Sequence, residues 1–164
     1  MIQLTYKDYT YTFNVTTEDV RIDTSVPKTQ IRHLCKFTND MDGGVKYAYG
    51  ATETIYDRYT RISMISATLL APNVFLGKID FIPNGYWKYE VYEVSYNGTA
   101  VVNATQAPAT ESTPATDQEG VFGTVKGVVE IGKLFVTETS GLEQVQYTQR
   151  EEPSGQTNYI YYGQ

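Results

Sequence analysis

Residues 86–96 read YWKYEVYEVSY, and this stretch decides the fold class. Its apolar and aromatic side chains recur at alternate positions, and a pleated strand points successive side chains to opposite faces of its sheet. One set of positions holds Trp87, Tyr89, Val91 and Glu93, and the other holds Tyr86, Lys88, Glu90, Tyr92, Val94 and Tyr96. The period of two therefore predicts a long β-strand with two different faces.

The same alternation recurs on both sides of this strand. Strands are predicted for residues 9–15, 31–38, 45–51, 61–70, 74–82, 99–104 and 142–149, with three short ones between residues 121 and 137. The clearest turns are residues 39–44 and the pair Asn97 and Gly98, because Asn, Asp and Gly tolerate a positive φ. No long segment shows the 3.6-residue period of a helix. Short strands separated by turns predict an all-β sandwich or barrel.

Length and charge indicate a single acidic domain. The 164 residues fit one domain, residues 1–164. Lys and Arg number 13 against 19 Asp and Glu, so the net charge is −6 and direct nucleic-acid binding is not expected. The first residues show no basic stretch followed by an apolar run, and no apolar run reaches the length of a membrane span. We therefore expect no signal peptide, no contact with a membrane and synthesis in a cytoplasm.

Residues that carry chemistry are scarce. The one histidine, His33, and the one cysteine, Cys35, fall on the same face of a predicted strand, where they could form an imidazole–thiolate pair. That strand is apolar and offers no third residue to orient the histidine, so Cys35 is interpreted as a core residue. The turn at residues 39–44 resembles half of a calcium loop, but Gly50 stands where a bidentate Glu is needed. We expect no catalytic, cofactor-binding or metal-binding residue, and no enzymatic activity.

The aromatic residues of the long strand have two interpretations. In the first, they form a stacking platform for sugars, as in a carbohydrate-binding module; the residues are Tyr86, Trp87, Tyr89, Tyr92 and Tyr96. In the second, one set of positions faces the core and the other meets a partner or solvent, and the single tryptophan favours this reading. Tyrosine and tryptophan are enriched in protein interfaces. Trp87 and Tyr89 are accordingly predicted to contact a partner.

Two segments have the composition of connections. Residues 106–120 hold no apolar side chain larger than alanine, apart from two prolines, and predict a flexible Thr/Ala/Pro loop. Residues 150–164 are predicted to form an extended C-terminal arm. The arm presents Tyr159, Ile160, Tyr161 and Tyr162 in a row. Such a run has no polar face, so we expect it to dock on a neighbouring subunit or partner protein, with packing in its own core as the alternative.

Three segments resemble strands of β-sandwich domains in the virion proteins of tailed bacteriophages. Residues 84–93 resemble the strand whose pattern is roughly Gly-x-Tyr-x-Tyr-x-Val-Tyr-Glu. Residues 36–49 resemble an early hairpin of such domains, and residues 129–136 resemble their glycine-interrupted closing strand. The resemblance covers about residues 30–137. It implies an antiparallel β-sandwich, immunoglobulin-like or jelly-roll-like.

The same resemblance carries an expectation about function. It implies a non-enzymatic structural protein located in the virion, an accessory component of the capsid surface or of the head–tail junction. Its expected partners are capsid, portal or tail components and further copies of itself. The alternative is a carbohydrate-binding module that acts in host recognition on a tail or fibre.

Overall fold

The computed structural model describes residues 1–6, 9–67, 71–112 and 122–138. Its regular structure there is almost entirely β, as the sequence predicts. The strands are β1 (Ile2–Thr5), β2 (Thr10–Val15), β3 (Ile31–Asn39), β4 (Val45–Tyr49), β5 (Thr52–Ile55), β6 (Thr60–Ser66), β7 (Lys78–Ile79), β8 (Gly85–Tyr96) and β9 (Gly123–Thr137). Two 3-10 turns, Glu18–Val20 and Lys28–Gln30, lie between β2 and β3.

The strands form two sheets that pack against each other as a β-sandwich. One sheet has five strands in the order β1-β9-β8-β3-β4, and the other has the order β2-β6-β5, with β7 also pairing with β6. Most neighbours are antiparallel. Two pairings, β1 with β9 and β6 with β7, are parallel. The predicted sandwich is therefore confirmed, and each sheet is mixed rather than purely antiparallel.

The connectivity distinguishes between the two predicted kinds of sandwich. In a variable-type immunoglobulin domain, strands C′, C, F and G share one sheet while B, E and D share the other. In this protein the positions of C′, C, F and G are taken by β4, β3, β8 and β9. The positions of B, E and D are taken by β2, β6 and β5. The first strand, β1, lies along β9. The order of strands is thus immunoglobulin-like, although a chain with one cysteine lacks the disulfide that joins the sheets of antibody domains.

The core lies between the two sheets and is rich in aromatic rings. Phe81 packs edge-on against three of them, with centroid distances of 5.3 Å to Tyr11, 5.0 Å to Phe37 and 5.5 Å to Trp87. Edge-on contacts suit the ring quadrupole and stabilise more than burial alone. Cys35 is fully buried in the same cluster, which confirms its interpretation as a core residue.

The structure corrects the predicted partner of β8. Residues 99–104 do not form a strand after the Asn97-Gly98 turn, because β3 and β9 already pair with the two edges of β8. The three short strands predicted between residues 121 and 137 are instead the single strand β9. Of the predicted strand 74–82, only β7 forms. The strand predicted at residues 142–149 lies outside the described residues.

Two irregularities let β9 remain one strand. The register between β8 and β9 shifts between Val91 and Tyr92 and again between Glu93 and Val94. Each shift leaves an extra residue on β9, as in a β-bulge. The first extra residue is Val129. Strict alternation from the outward-pointing Ile131 would turn Val129 outward as well, but the bulge turns it into the core.

Candidate interaction face

The surface that distinguishes this sandwich is the outer side of the five-stranded sheet. On β8 the outward side chains are Tyr86, Lys88, Glu90, Tyr92, Val94 and Tyr96. The two ends of this side differ sharply. One end is covered by the protein's own chain, and the other is open to solvent.

Residues 97–112 cover one end of the outer side and form a second, smaller core. Leu34, Tyr49, Val94 and Tyr96 are buried there together with Ala107. The cover is held by hydrogen bonds: the Tyr49 hydroxyl donates to the Pro108 carbonyl at 2.8 Å, and the Gly123 N–H donates to the Gln106 carbonyl at 2.7 Å. Residues 106–112, the first part of the predicted flexible loop, thus make specific contacts, and residues 113–120 lie outside the described residues.

Polar contacts continue the cover toward the middle of the sheet. The Lys36 ammonium lies 2.5 Å from the Glu111 carboxylate. Burial, and then a hydrogen bond to Glu111, raise the pKa of Tyr47 to about 12. The hydrogen bond to the carboxylate likewise raises the pKa of Lys36 above its usual range. These groups fix the boundary between the covered and the open end.

We call the open end the exposed face and define it by Tyr86, Lys88, Ile131, Lys133 and Phe135. Tyr86 is 51% exposed and Ile131 is 59% exposed. The rings of Tyr86 and Phe135 lie across the strand pair with centroids 4.5 Å apart. Ile131 lies four residues from Phe135 along β9, beyond the cross-strand neighbours Lys88 and Lys133. Exposed aromatic and aliphatic side chains on one sheet surface are typical of a contact region for another molecule.

The charges on the exposed face and at its border are balanced. The Lys88 ammonium lies 2.6 Å from Glu90, and Lys133 pairs with Asp40 on the hairpin beside Tyr86. The hydrogen bond from Lys88 lowers the pKa of Glu90 from its usual value. In a chain with a net charge of −6, this part of the surface carries no local excess of negative charge.

The structure corrects the residues predicted to meet a partner. Trp87 is 0% exposed and Tyr89 is 6% exposed, so both belong to the inner side of β8. Trp87 packs on Phe81, and the Tyr89 hydroxyl donates to Glu130 at 2.6 Å. The other predicted contact residues, Tyr159, Ile160, Tyr161 and Tyr162, lie outside the described residues.

Phe135 and Ile131 were not among the contact residues predicted from the sequence. Both lie on β9, where the predicted strands were too short to define a face. The available signal was the alternation of Phe135, Lys133 and Ile131, which is unbroken until the first bulge.

The residues that raised the question of catalysis or metal binding lie in the core and in the turn at residues 39–44, and His33 has the orienting residue that the sequence did not reveal, Glu53. His33 Nδ1 lies 3.0 Å from Glu53 Oε2, and the pair is buried. Burial, followed by the charge of Glu53, raises the pKa of the Cys35 thiol well above its usual value. In the turn at residues 39–44, Asn39 Oδ1 accepts hydrogen bonds from the backbone N–H groups of Met41 and Asp42. Within the described ranges, no three His, Cys, Asp or Glu side chains are grouped as ligands for a metal ion.

The described part of the chain contains no helix with the length and apolarity that a membrane crossing requires. No family model matches the chain, and no curated protein or solved structure matches it.

Proposed function

We propose that this protein is a non-enzymatic structural subunit that binds other proteins through the exposed face. One observation carries the proposal. The chain covers one end of its outer sheet surface with its own residues 97–112, yet at the other end it leaves Tyr86 and Ile131 more than half exposed and Phe135 partly exposed. Water around such side chains is displaced favourably when a partner covers them, so the open end is the part of this surface that gains from contact.

The balance of charge on this surface supports contact with further copies of the chain. Two copies with a net charge of −6 repel each other over most of their surfaces. The lysines of the exposed face are paired with neighbouring carboxylates, so this region adds little to that repulsion. The exposed face is therefore the favoured region for a second copy or for another acidic subunit to approach.

Within this class, we propose a tailed-bacteriophage virion as the setting. The protein then acts at the capsid surface or the head–tail junction, in contact with capsid, portal or tail components. Support comes from the resemblance of residues 84–93 and 129–136 to strands of virion β-sandwich domains. These segments fall on β8 and β9, the two strands that carry the exposed face.

Sugar binding by stacking has less support from the structure. The platform predicted for that role depends on Trp87, whose ring is fully buried against Phe81. A sugar ring has no access to it.

The experiment compares two double substitutions that are matched in chemistry and exposure. The test variant is Tyr86→Arg with Ile131→Arg, which puts two cations on the exposed face. The control is Val20→Arg with Leu76→Arg, at residues that are 49% and 53% exposed elsewhere. We expect the test variant to weaken self-association in analytical ultracentrifugation, and incorporation into particles, by at least about tenfold, or about 1.4 kcal/mol. The control should behave as wild type.

Two results would count against the proposal. If both double variants assemble as well as wild type, the exposed face is not the contact. If mass spectrometry of purified phage particles shows no copy of the chain, the virion setting is wrong even where self-association holds.

A further inference from the structure

A cavity of about 310 Å³ lies beside the covered end of the outer sheet surface. Its polar wall holds Arg32 and Glu53, with the backbone where the chain crosses between sheets at residues 50–51. Phe75, Ala100 and Val102 complete the lining, although most of the surface that the cavity exposes is polar. The cavity is distinct from the exposed face, because residues 97–112 and β3 bound it rather than β9.

Arg32 brings to this cavity a cation that pairs with no carboxylate of the described residues. Among the described residues its hydrogen bonds all come from Nη1, which donates to the carbonyls of Ile31 at 2.8 Å and Thr29 at 3.3 Å. Glu53 shares the wall, but its two oxygens accept from the backbone N–H and the Nδ1 of His33. The Arg32 guanidinium pairs with no described carboxylate, so its remaining N–H groups can donate hydrogen bonds to the oxygens of a bound anion.

The remaining walls restrict the shape and charge of that anion. Phe75 stacks on the buried Tyr49 ring at 6.4 Å and 21°, which fixes one apolar side of the cavity. Ala100 and Val102 bring further apolar surface from residues 97–112. The carboxylate of Glu53 repels a second negative charge, so a monoanion fits better than a dianion. The volume is at the small end for ligand pockets and suits one side chain or a small acid.

We propose that this cavity binds a small monocarboxylate, with Arg32 as its ionic partner and one side of its body against Phe75, Ala100 and Val102. A free organic acid and the C-terminal residue of a partner peptide both present this chemistry. The site is a second point of contact and goes beyond the role proposed for the exposed face.

The test is a titration monitored by backbone amide NMR shifts and calorimetry, with benzoate as the probe. Benzyl alcohol has the same ring without the charge, and inorganic phosphate serves as the dianion. We expect benzoate to bind with a dissociation constant of about 1–10 mM, in the range open to so small a ligand. The shifts should centre on Arg32, Phe75 and Val102. Benzyl alcohol and phosphate should bind at least about tenfold more weakly.

Variants separate the role of the guanidinium from the role of the cavity. Arg32→Gln should weaken benzoate binding at least about tenfold, while Arg61→Gln on β6 should leave it unchanged. Val102→Phe keeps Arg32 but fills the cavity, and it should also abolish binding. Unaltered circular dichroism and melting temperature confirm the fold of each variant.

Peptides then identify the source of the carboxylate. A hexapeptide ending in phenylalanine is compared with its C-terminal amide. Binding of the free-acid peptide alone supports a peptide partner, and binding of benzoate without the peptide supports a free acid. The proposal is overturned if benzoate does not bind wild type, if benzyl alcohol binds equally well, or if Arg32→Gln binds benzoate like wild type. Arg32→Gln should leave assembly through the exposed face unchanged. A failure of the cavity proposal can therefore be distinguished from a failure of the proposed function.

Discussion

Replacing His33 by leucine is expected to destabilise the sandwich strongly, because it leaves the buried Glu53 carboxylate without its partner. The His33 side chain is 2% exposed and that of Glu53 is 4% exposed. Nδ1 of His33 lies 3.0 Å from Glu53 Oε2, and the His33 backbone N–H donates to Oε1 at 3.2 Å. The substitution removes the first of these contacts and keeps the second.

The expected magnitude follows from the burial of both groups. Removing one partner of a buried pair, so that the other side chain is left uncompensated in the interior, costs about 3–5 kcal/mol. For a domain of this length, each kcal/mol lowers the melting temperature by about 2–4 °C. His33→Leu should therefore melt about 6–20 °C below wild type. Such a loss is a large part of the total stability of a typical domain, about 5–15 kcal/mol.

The assay is thermal and urea unfolding, followed by circular dichroism, of wild type, both single variants and the double variant His33→Leu with Glu53→Leu. Apolar replacement of both partners of a buried pair is often near neutral, so the double variant should recover most of the loss. Lys88→Ala serves as a control, since its half-exposed pair with Glu90 is expected to contribute at most about 1 kcal/mol.

Two outcomes would refute this reasoning. The first is a His33→Leu protein that melts within about 2 °C of wild type, less than the shift expected for 1 kcal/mol. The second is a double variant no more stable than His33→Leu.

Four further predictions follow. Gly132→Ala should cost about 1–3 kcal/mol in urea unfolding, because its Cβ would lie 2.5 Å from the Tyr89 hydroxyl oxygen; an equal cost in a Tyr89→Leu background would contradict this. Burial raises the pKa of Tyr49, so the contribution of this residue to stability is fully present below pH of about 10 and is lost as pH rises above it. In urea unfolding between pH of about 8 and about 11, the free energy of unfolding should fall less steeply with pH in Tyr49→Phe than in wild type. The hydrogen bond from Ser25 lowers the pKa of Asp23, so its contribution to stability is present above pH of about 4 and is lost as pH falls below it; urea unfolding should show a smaller loss on acidification in Asp23→Asn than in wild type, and an equal loss would contradict this. Truncation after Gly155 should keep the melting temperature and lose incorporation into the assembly, whereas a much lower melting temperature would assign the removed segment to the core of its own subunit.

The sequence by itself determined the class of fold and its most local features. The alternation in residues 86–96 predicts β8, and the Asn, Asp and Gly residues after β3 predict the tight turn that the structure shows. Gly43 adopts φ 71° in that turn, as its residue type suggests. The core position of Cys35 was also predictable. Strand period and turn chemistry depend on neighbours in the chain, so they can be read without knowledge of what packs where.

The tertiary structure alone decided which side of β8 faces inward. Both sets of alternate positions are aromatic, so hydrophobicity did not distinguish them. Trp87 faces the core because Phe81 and its neighbours, from other strands and loops, pack against it there. Tyr86 is left outside with Phe135.

Long-range packing also decided the candidate sites. The exposed face and the Arg32 cavity both exist because residues 97–112 fold over one end of the sheet instead of adding a strand to it. They do so because β3 and β9, distant in sequence, already pair with both edges of β8. Which segment pairs with a given sheet edge depends on other segments tens of residues away, so the local sequence pattern of residues 97–112 does not predict it.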